Sequence, residues 1–168
     1  GAMSTARIGR ILSRMIRQGK VHAIACTGAN LEEDLFTVLA GNDYEHCPNW
    51  RALTAEDEKV FYDQGLNRVT DTCIPEHVMR HIAAQLLEGW QQAAAAGQSK
   101  MPGEFMADVI RSGALDEHLQ LSSEDSWMYA ATEMGIPVFA PGWEDSTTGN
   151  MFTAKVMQGE LPDHRCVK

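Results

Sequence analysis

Two short apolar runs stand out from a chain in which apolar residues otherwise recur with helical spacing. The runs are Val21–Ala25 and Ile136–Ala140, and turn residues bound both of them, which is typical of short buried strands. Apolar residues three and four positions apart predict amphipathic helices elsewhere. The predicted helices cover residues 5–18, 31–39, 55–63, 76–96, 103–112, 123–133 and 149–158. Helices and strands that alternate in this way indicate the α/β class.

Several helix boundaries carry recognisable capping residues. Ser4 or Thr5 is the expected N-cap of the first helix, and Gly19 follows its end. Thr54 and Asp57 have the spacing of a capping box, and Pro75 precedes the long helix. These signals predict where the helices begin more sharply than the apolar pattern alone does.

The strand count limits the predicted architecture. A parallel sheet normally has several strands and is covered on both faces, whereas only two strands are evident here. Residues 41–74 show little regular pattern apart from one short helix. We therefore predict that residues 1–168 form a single partial α/β domain, whose missing strands come from further sequence or from another chain.

Composition and charge narrow the class of protein. The chain has 168 residues and a net charge of −9, which disfavours nucleic acid as a partner because phosphate binding needs clustered basic residues. No apolar run is long enough to cross a bilayer. The four cysteines are scattered without a CxxC pair, which favours a reducing, cytoplasmic environment.

Two acidic loops follow the two predicted strands. We call Cys26–Asp34 the first loop and Pro141–Asn150 the second loop. In open α/β sheets, ligands bind beyond the carboxyl ends of the strands, where such loops converge. Small residues, backbone N–H groups and carboxylates at that edge suit either a ligand with phosphate and hydroxyl groups or a cationic ligand.

Structural explanations compete with a binding role for each loop. Asn30 and Glu33 have the spacing of a helix capping pair, and Asp145 precedes a predicted helix as capping residues often do. Trp143 is either a core residue or the wall of a pocket. Elsewhere, His77 and His81 lie one helical turn apart, but a lone histidine pair is more often structural than a metal site.

The two loops, taken together, resemble the deoxyhypusine synthase family. The similarity is carried by Thr27-Gly-Ala-Asn-Leu-Glu-Glu-Asp34 and Pro141-Gly-Trp-Glu-Asp-Ser-Thr-Thr-Gly-Asn150, and it is strongest to the bacterial deoxyhypusine synthase-like branch. Leu66-Asn-Arg-Val-Thr-Asp71 and Ser126-Trp127 fit the same resemblance. The similarity extends over nearly the whole chain but covers only the middle portion of the family's usual length, roughly half.

The resemblance implies an NAD-dependent aminobutyl transfer on a Rossmann-like fold. In this family NAD takes a hydride from spermidine, an enzyme lysine captures the resulting imine, and the butylamine unit passes to an acceptor amine. The acceptor is a lysine of a protein or, in homospermidine synthases, putrescine. Members are usually homotetramers with active sites at subunit interfaces.

The resemblance also implies roles for individual residues. Thr27, Gly28 and Ala29 match the turn that lies against NAD, and Asp145 matches a carboxylate that contacts NAD. A further set matches positions that face the polyamine: Glu32, Glu33 (which also contacts NAD) and Asn150. At the last position eukaryotic members carry an aspartate, so this chain lacks one charge that would pair with an ammonium group.

Other family features are absent from the 168 residues. They contain no Trp-Gly-Lys segment, which carries the family's nucleophilic lysine, and no matching glycine-rich NAD segment or catalytic histidine. We therefore expect no complete reaction from this chain alone. A homospermidine synthase-type enzyme, a non-catalytic subunit that completes a larger assembly, and a nucleotide-binding module unrelated to polyamines are the alternatives.

Overall fold

The computed structural model describes residues 3–161 and 164–168, which form a mixed α/β structure with helices packed around a parallel sheet and a second, antiparallel sheet. In chain order the elements are α1 (Gly9–Arg17), β1 (Ile24–Ala25), α2 (Gly28–Ala40), β2 (Glu45–His46), α3 (Ala55–Asp63), β3 (Leu66–Val69), β4 (Thr72–Pro75), α4 (Glu76–Ala95), α5 (Pro102–Arg111), α6 (Trp127–Met134), β5 (Val138–Phe139) and α7 (Thr147–Met157). The predicted α/β class is confirmed at this level.

The core is built around α2, which is buried on almost every side. Its apolar residues contribute to one continuous cluster with the inward face of α4, where Ile82, Leu86 and Trp90 are fully enclosed. Trp90, Trp143 and Phe152 meet edge to face with ring centroids 5.0–6.1 Å apart. This aromatic cluster fixes the second loop against the long helix α4.

The two predicted strands are confirmed as strands of one parallel sheet, although each is only two residues long. Ile24 pairs with Val138 and Ala25 pairs with Phe139. Ile24 and Val138 are buried against the helices, whereas Ala25 and Phe139 are exposed on the opposite face.

A three-stranded antiparallel sheet, in the order β2–β4–β3, lies within the segment that showed little regular pattern. A tight turn joins β3 to β4, and Thr70 occupies the left-handed region there with φ of 55°. The apolar pattern does not predict this sheet, because polar residues such as Asn67 and Arg68 interrupt the expected alternation.

The helix boundaries test the capping predictions. The Thr54–Asp57 capping box and the start of α4 after Pro75 are confirmed. The predicted cap of α1 was wrong, because Ile8 occupies the N-cap position and Ser4 is buried in other contacts. The starts of α6, which begins after Ser126, and of α7, which begins after Ser146, also differ from the prediction.

Candidate functional site

The first and second loops lie together at the carboxyl ends of β1 and β5, as the strand order predicts. A Cβ atom added to Gly28 would lie 2.7 Å from the Cβ of Ser146 and 3.2 Å from the Cα of Trp143. Such separations leave no room for a side chain, so the two loops are in direct backbone contact at this position. Gly28 is therefore required by the packing of one loop on the other.

The small residues of the first loop belong to a helix rather than to an open turn. α2 begins at Gly28, three residues before the predicted Leu31, and the Thr27 hydroxyl caps it by accepting a hydrogen bond from Asn30 N. The predicted cap, Asn30, instead accepts hydrogen bonds from the backbone N–H groups of Met3 (2.9 Å) and Ser4 (3.2 Å). Thr27 is exposed and Ala29 is half-buried, so both remain accessible at the sheet edge.

Glu32 joins the two loops through its carboxylate. The backbone N–H groups of Thr147 and Thr148 donate to it at 2.9 and 2.8 Å, and the Thr148 hydroxyl donates at 2.8 Å. These N–H groups belong to the first turn of α7, where a helix has unpaired donors and favours negative charge. With only 2% of its surface exposed, Glu32 is held inside the protein by α7, and no ligand is needed to satisfy it.

Asp34 caps a different helix, α6, in the same way. The Ser126 hydroxyl and the backbone N–H groups of Trp127 and Met128 donate to its carboxylate at the start of α6. Burial raises the pKa of Asp34 to about 6, although these hydrogen bonds act in the opposite direction. Asp34 was not among the predicted site residues. The signal in the sequence that could have identified it is a carboxylate followed directly by the apolar part of a predicted helix.

Glu33 lies between these two capping residues and points to the N-terminal segment. The Thr5 hydroxyl donates to its carboxylate, and the residue is 7% exposed. Burial is the main cause that raises the pKa of Glu33, the Thr5 hydrogen bond lowers it, and the neighbouring Glu32 raises it. A buried carboxylate with a raised pKa would be stabilised in its ionised form by a nearby cation.

The second loop presents its acidic residues and Asn150 to solvent and buries its tryptophan. Glu144, Asp145 and Asn150 are exposed around the start of α7. Trp143 is buried, and its Nε1–H donates to the Thr148 hydroxyl at 2.9 Å. Of the two explanations offered for Trp143, the structure supports the one in which it is a core residue rather than the wall of a pocket.

The side chains predicted to form the site thus fall into two groups. Thr27, Ala29, Asp145 and Asn150 are accessible at one edge of the molecule. Glu32 and Glu33 lie behind that edge, where protein N–H and O–H groups already donate hydrogen bonds to their carboxylates. Cys26 is half-buried, and burial raises the pKa of its thiol, which disfavours the thiolate that a nucleophilic cysteine needs.

Two further findings concern the described residues as a whole. Within residues 3–161 and 164–168, no three His, Cys, Asp or Glu side chains are grouped so that they could hold a metal ion. His81 nevertheless lies against His118, with ring centroids 4.6 Å apart. In the same part of the chain, no helix is long and apolar enough to span a membrane.

Similarity to known proteins shows the family of this chain. The family model described as deoxyhypusine synthase matches residues 1–164. A probable deoxyhypusine synthase 2 from Methanosarcina acetivorans is 31% identical over 155 residues, which are 89% of this chain and 40% of the relative. A deoxyhypusine synthase-like protein from Chlorobaculum parvum is 26% identical over 152 residues, 89% of this chain and 39% of that relative.

A bacterial relative from Caulobacter vibrioides, also named deoxyhypusine synthase-like protein, is 26% identical over 150 residues. The chain spans about two fifths of the length of the curated relatives that it matches. Because the family model covers nearly all of the 168 residues, this chain belongs to the deoxyhypusine synthase family.

Proposed function

We propose that this chain forms part of an NAD-dependent enzyme that transfers an aminobutyl group from a spermidine-like polyamine to an acceptor amine. The observation that carries the proposal is the contact between the two loops, which brings Thr27 and Asp145 to one edge of the sheet. The acceptor is a protein lysine or putrescine. The complete protein is a homotetramer with a Rossmann-like fold, of which the present residues are a portion.

The accessible groups suit the ribose part of a dinucleotide. The Thr27 hydroxyl and the Asp145 carboxylate are exposed and can each hydrogen bond to a sugar hydroxyl. We assign Thr27, Gly28, Ala29, Glu33 and Asp145 to the cofactor side of the site. When bound, NAD supplies the hydride acceptor, and this chain's residues bind and orient it.

Charge supports a polycationic substrate. The chain carries a net charge of −9, and Glu144 and Asp145 are exposed next to the same loop contact. A carboxylate beside a protein wall attracts an ammonium group more strongly than it does in bulk water. Burial raises the pKa of Glu33, and a cation beside its carboxylate would act in the opposite direction by favouring the ionised form.

The structure leads us to separate the three residues assigned to the polyamine. Glu33 and Asn150 remain proposed polyamine contacts, and Glu33 reaches the substrate when the Thr5 hydroxyl releases it. Glu32 acts on the substrate indirectly, because its carboxylate positions α7 and thereby the exposed residues of the second loop. Asn150 offers a neutral amide, which suits a hydroxyl or amine hydrogen bond.

The cofactor assignment is tested with Asp145→Asn. We expect NAD affinity to fall about tenfold, because a charge-assisted hydrogen bond to an exposed carboxylate is replaced by a neutral one. Isothermal titration calorimetry with NAD measures the change. Glu56→Gln, which removes an exposed carboxylate from α3, is the matched control and should bind NAD as the unchanged chain does.

Polyamine binding is tested in the same calorimeter by adding spermidine, putrescine and agmatine to the NAD-bound protein. Tighter spermidine binding in the presence of NAD supports the proposed function. NAD binding that no polyamine affects would favour the nucleotide-binding module instead. Equal NAD affinity in Asp145→Asn and the unchanged chain would contradict the cofactor assignment.

The chain by itself should form no covalent aminobutyl adduct. The 168 residues contain no Trp-Gly-Lys segment, so the lysine that would take up the aminobutyl group is missing. Incubation with NAD and labelled spermidine, followed by intact mass measurement, checks this expectation. A stable adduct on the chain would contradict this expectation. Because the lysine segment is absent from the 168 residues, a non-catalytic subunit is the second candidate function.

A further inference from the structure

A cluster of three histidines lies outside the candidate site. His77 and His81 are one turn apart on α4, and His118 ends a short 3₁₀ turn, Asp116–His118. The rings of His81 and His118 meet edge to face, with 4.6 Å between their centroids and an interplanar angle of 69°. An edge-to-face contact places an N–H or C–H of one ring against the face of the other. The contact therefore depends on the charge of both imidazoles.

His81 is the enclosed member of this cluster. Its Nε2 atom is buried and has no hydrogen-bond partner among the described residues, whereas His77 and His118 are exposed. Burial is the main cause that lowers the pKa of His81, and the like charges of His118 and His77 lower it further. A proton added to His81 would create a buried cation, which is unfavourable unless an anion or an acceptor compensates for it. The arrangement therefore favours the neutral ring.

Charged groups on the neighbouring elements are engaged elsewhere. Glu76 pairs with Arg80 on α4, and Asp116 accepts a hydrogen bond from the Tyr129 hydroxyl of α6 at 3.3 Å. None of these carboxylates is among the causes that act on the pKa of His81, so neither of them offsets the charge of an imidazolium there. The other charged residues of the 3₁₀ turn and of α5 are exposed, and the last two pair with each other: Glu117, Asp108 and Arg111.

The 3₁₀ turn belongs to residues 115–121, which lie between α5 and α6. Leu115 is fully buried at one end of this segment. At the other end, the backbone N–H groups of Gln120 and Leu121 both donate to Val38 O, at 2.9 and 3.0 Å. This carbonyl belongs to the last turn of α2, where a helix has acceptors that its own backbone does not satisfy. The histidine contact thus lies between two fixed ends of the segment.

We propose that the contact between His81 and His118 is an acid-sensitive switch, which holds the 3₁₀ turn against α4 while the rings are neutral and releases it when both are protonated. Two imidazolium groups with centroids 4.6 Å apart would repel each other, and one of them would be buried. Imidazole suits such a switch because its charge changes near neutral pH. The proposal does not depend on NAD or polyamine binding.

The direction of the effect distinguishes the switch from the buried carboxylates of α2. The folded-state pKa of His81 lies below its ordinary value of 6.5, so the folded protein binds this proton more weakly than the unfolded chain does. The contact therefore contributes its full stability above pH 6.5 and loses it as pH falls through the lower, folded-state pKa. The pKa values of Glu33 and Asp34 are raised, so acidification acts on them in the opposite direction.

Backbone NMR relaxation of the full 168-residue chain tests the proposal. We expect the order parameters of Asp116–His118 to fall from about 0.85 to below about 0.6 between about pH 7.5 and about pH 5. The amides of Gln120 and Leu121 should keep their values, because the bonds to Val38 O do not involve a titrating group. Order parameters of the turn that stay constant over this range would overturn the proposal.

Histidine variants identify the titrating group. His81→Gln should abolish the response of the turn to pH, because the amide does not titrate. His118→Gln should raise the pKa of His81, followed by the NMR shifts of its ring protons, because a like charge is removed. His22→Gln, which replaces an exposed histidine before β1, is the matched control and should respond as the unchanged chain does.

Circular dichroism at about pH 7.5 checks that each histidine variant is folded. A full response of the turn in folded His81→Gln would contradict the assignment of the switch to this histidine. An unchanged pKa of His81 in His118→Gln would show that the two rings are not coupled, and it would also overturn the proposal.

Discussion

Three consecutive carboxylates on α2 have three different environments, and this difference determines what each can do. Glu32 caps α7, Asp34 caps α6, and Glu33 meets the Thr5 hydroxyl. The partners of Glu32 are more than one hundred residues away along the chain. Sequence alone could indicate that the acidic residues matter, but it could not indicate which helix each would meet.

Glu32→Gln should destabilise the protein. The amide would turn an N–H donor toward the N–H groups of Thr147 and Thr148, so at least one of them loses its acceptor in a buried place. We expect the free energy of unfolding to fall by about 2–3 kcal/mol, measured by urea denaturation.

The matched control is Glu144→Gln, which changes an exposed carboxylate of the second loop and should alter stability by less than about 0.5 kcal/mol. If Glu32→Gln were as stable as this control, and spermidine affinity fell, then Glu32 would contact the polyamine directly. Its role in positioning α7 would be refuted.

Asp34 should give the protein a distinctive pH dependence. Its folded-state pKa, about 6, lies above the ordinary value of 3.8, so the folded protein holds the proton more tightly than the unfolded chain does. The free energy of unfolding therefore falls as pH rises from about 4 to about 6, by about 3 kcal/mol at most. Urea denaturation at several pH values measures this slope.

Asp34→Asn should flatten that slope, because the amide does not titrate. Part of the slope should remain, since the pKa of Glu33 is raised as well. A variant with the full slope would show that another group is responsible. Glu56→Gln, an exposed substitution on α3, is the control for the measurement.

At the scale of elements, the apolar pattern predicted the helices better than the strands. α3 and α4 begin where capping residues predict, whereas β1 and β5 are shorter than their apolar runs. The antiparallel sheet was not predicted, because its strands are short and polar residues interrupt them. The caps that the sequence predicted, such as the Thr54–Asp57 capping box, involve residues close together in the chain, but strand pairing depends on distant residues, which explains the difference.

The contact between the two loops can be tested with Gly28→Ala. The added Cβ would meet Ser146 at 2.7 Å, so either α2 or the second loop must move. We expect a loss of about 1–3 kcal/mol in the free energy of unfolding, together with weaker NAD binding. Thermal unfolding and calorimetry measure the two effects.

Gly89→Ala provides the comparison within a helix. A Cβ at this position in α4 would meet Phe105 at an ordinary 3.5 Å, so alanine should be neutral or slightly stabilising. If Gly28→Ala and Gly89→Ala changed the free energy of unfolding equally, the close approach of the two loops would not be what stabilises this edge of the sheet.

For the whole molecule, the sequence predicted the α/β class and the convergence of two loops, and the family resemblance is confirmed over residues 1–164. It also indicated that two strands are too few for a complete parallel sheet, and within residues 3–161 and 164–168 the parallel sheet consists of β1 and β5 alone. What it could not predict was burial. The same acidic motif fits an exposed binding loop and a buried capping helix, and only the packing of α2 distinguishes them.

The attachment of the N-terminal segment has a practical consequence. The backbone of Met3 and Ser4 is tied to Asn30, and Thr5 to Glu33, directly beneath the edge proposed to bind ligands. A purification tag joined ahead of Met3 would thus emerge close to that edge and compete for it. Proteins made for titration should carry their tag after Lys168, or have it removed before any affinity is measured.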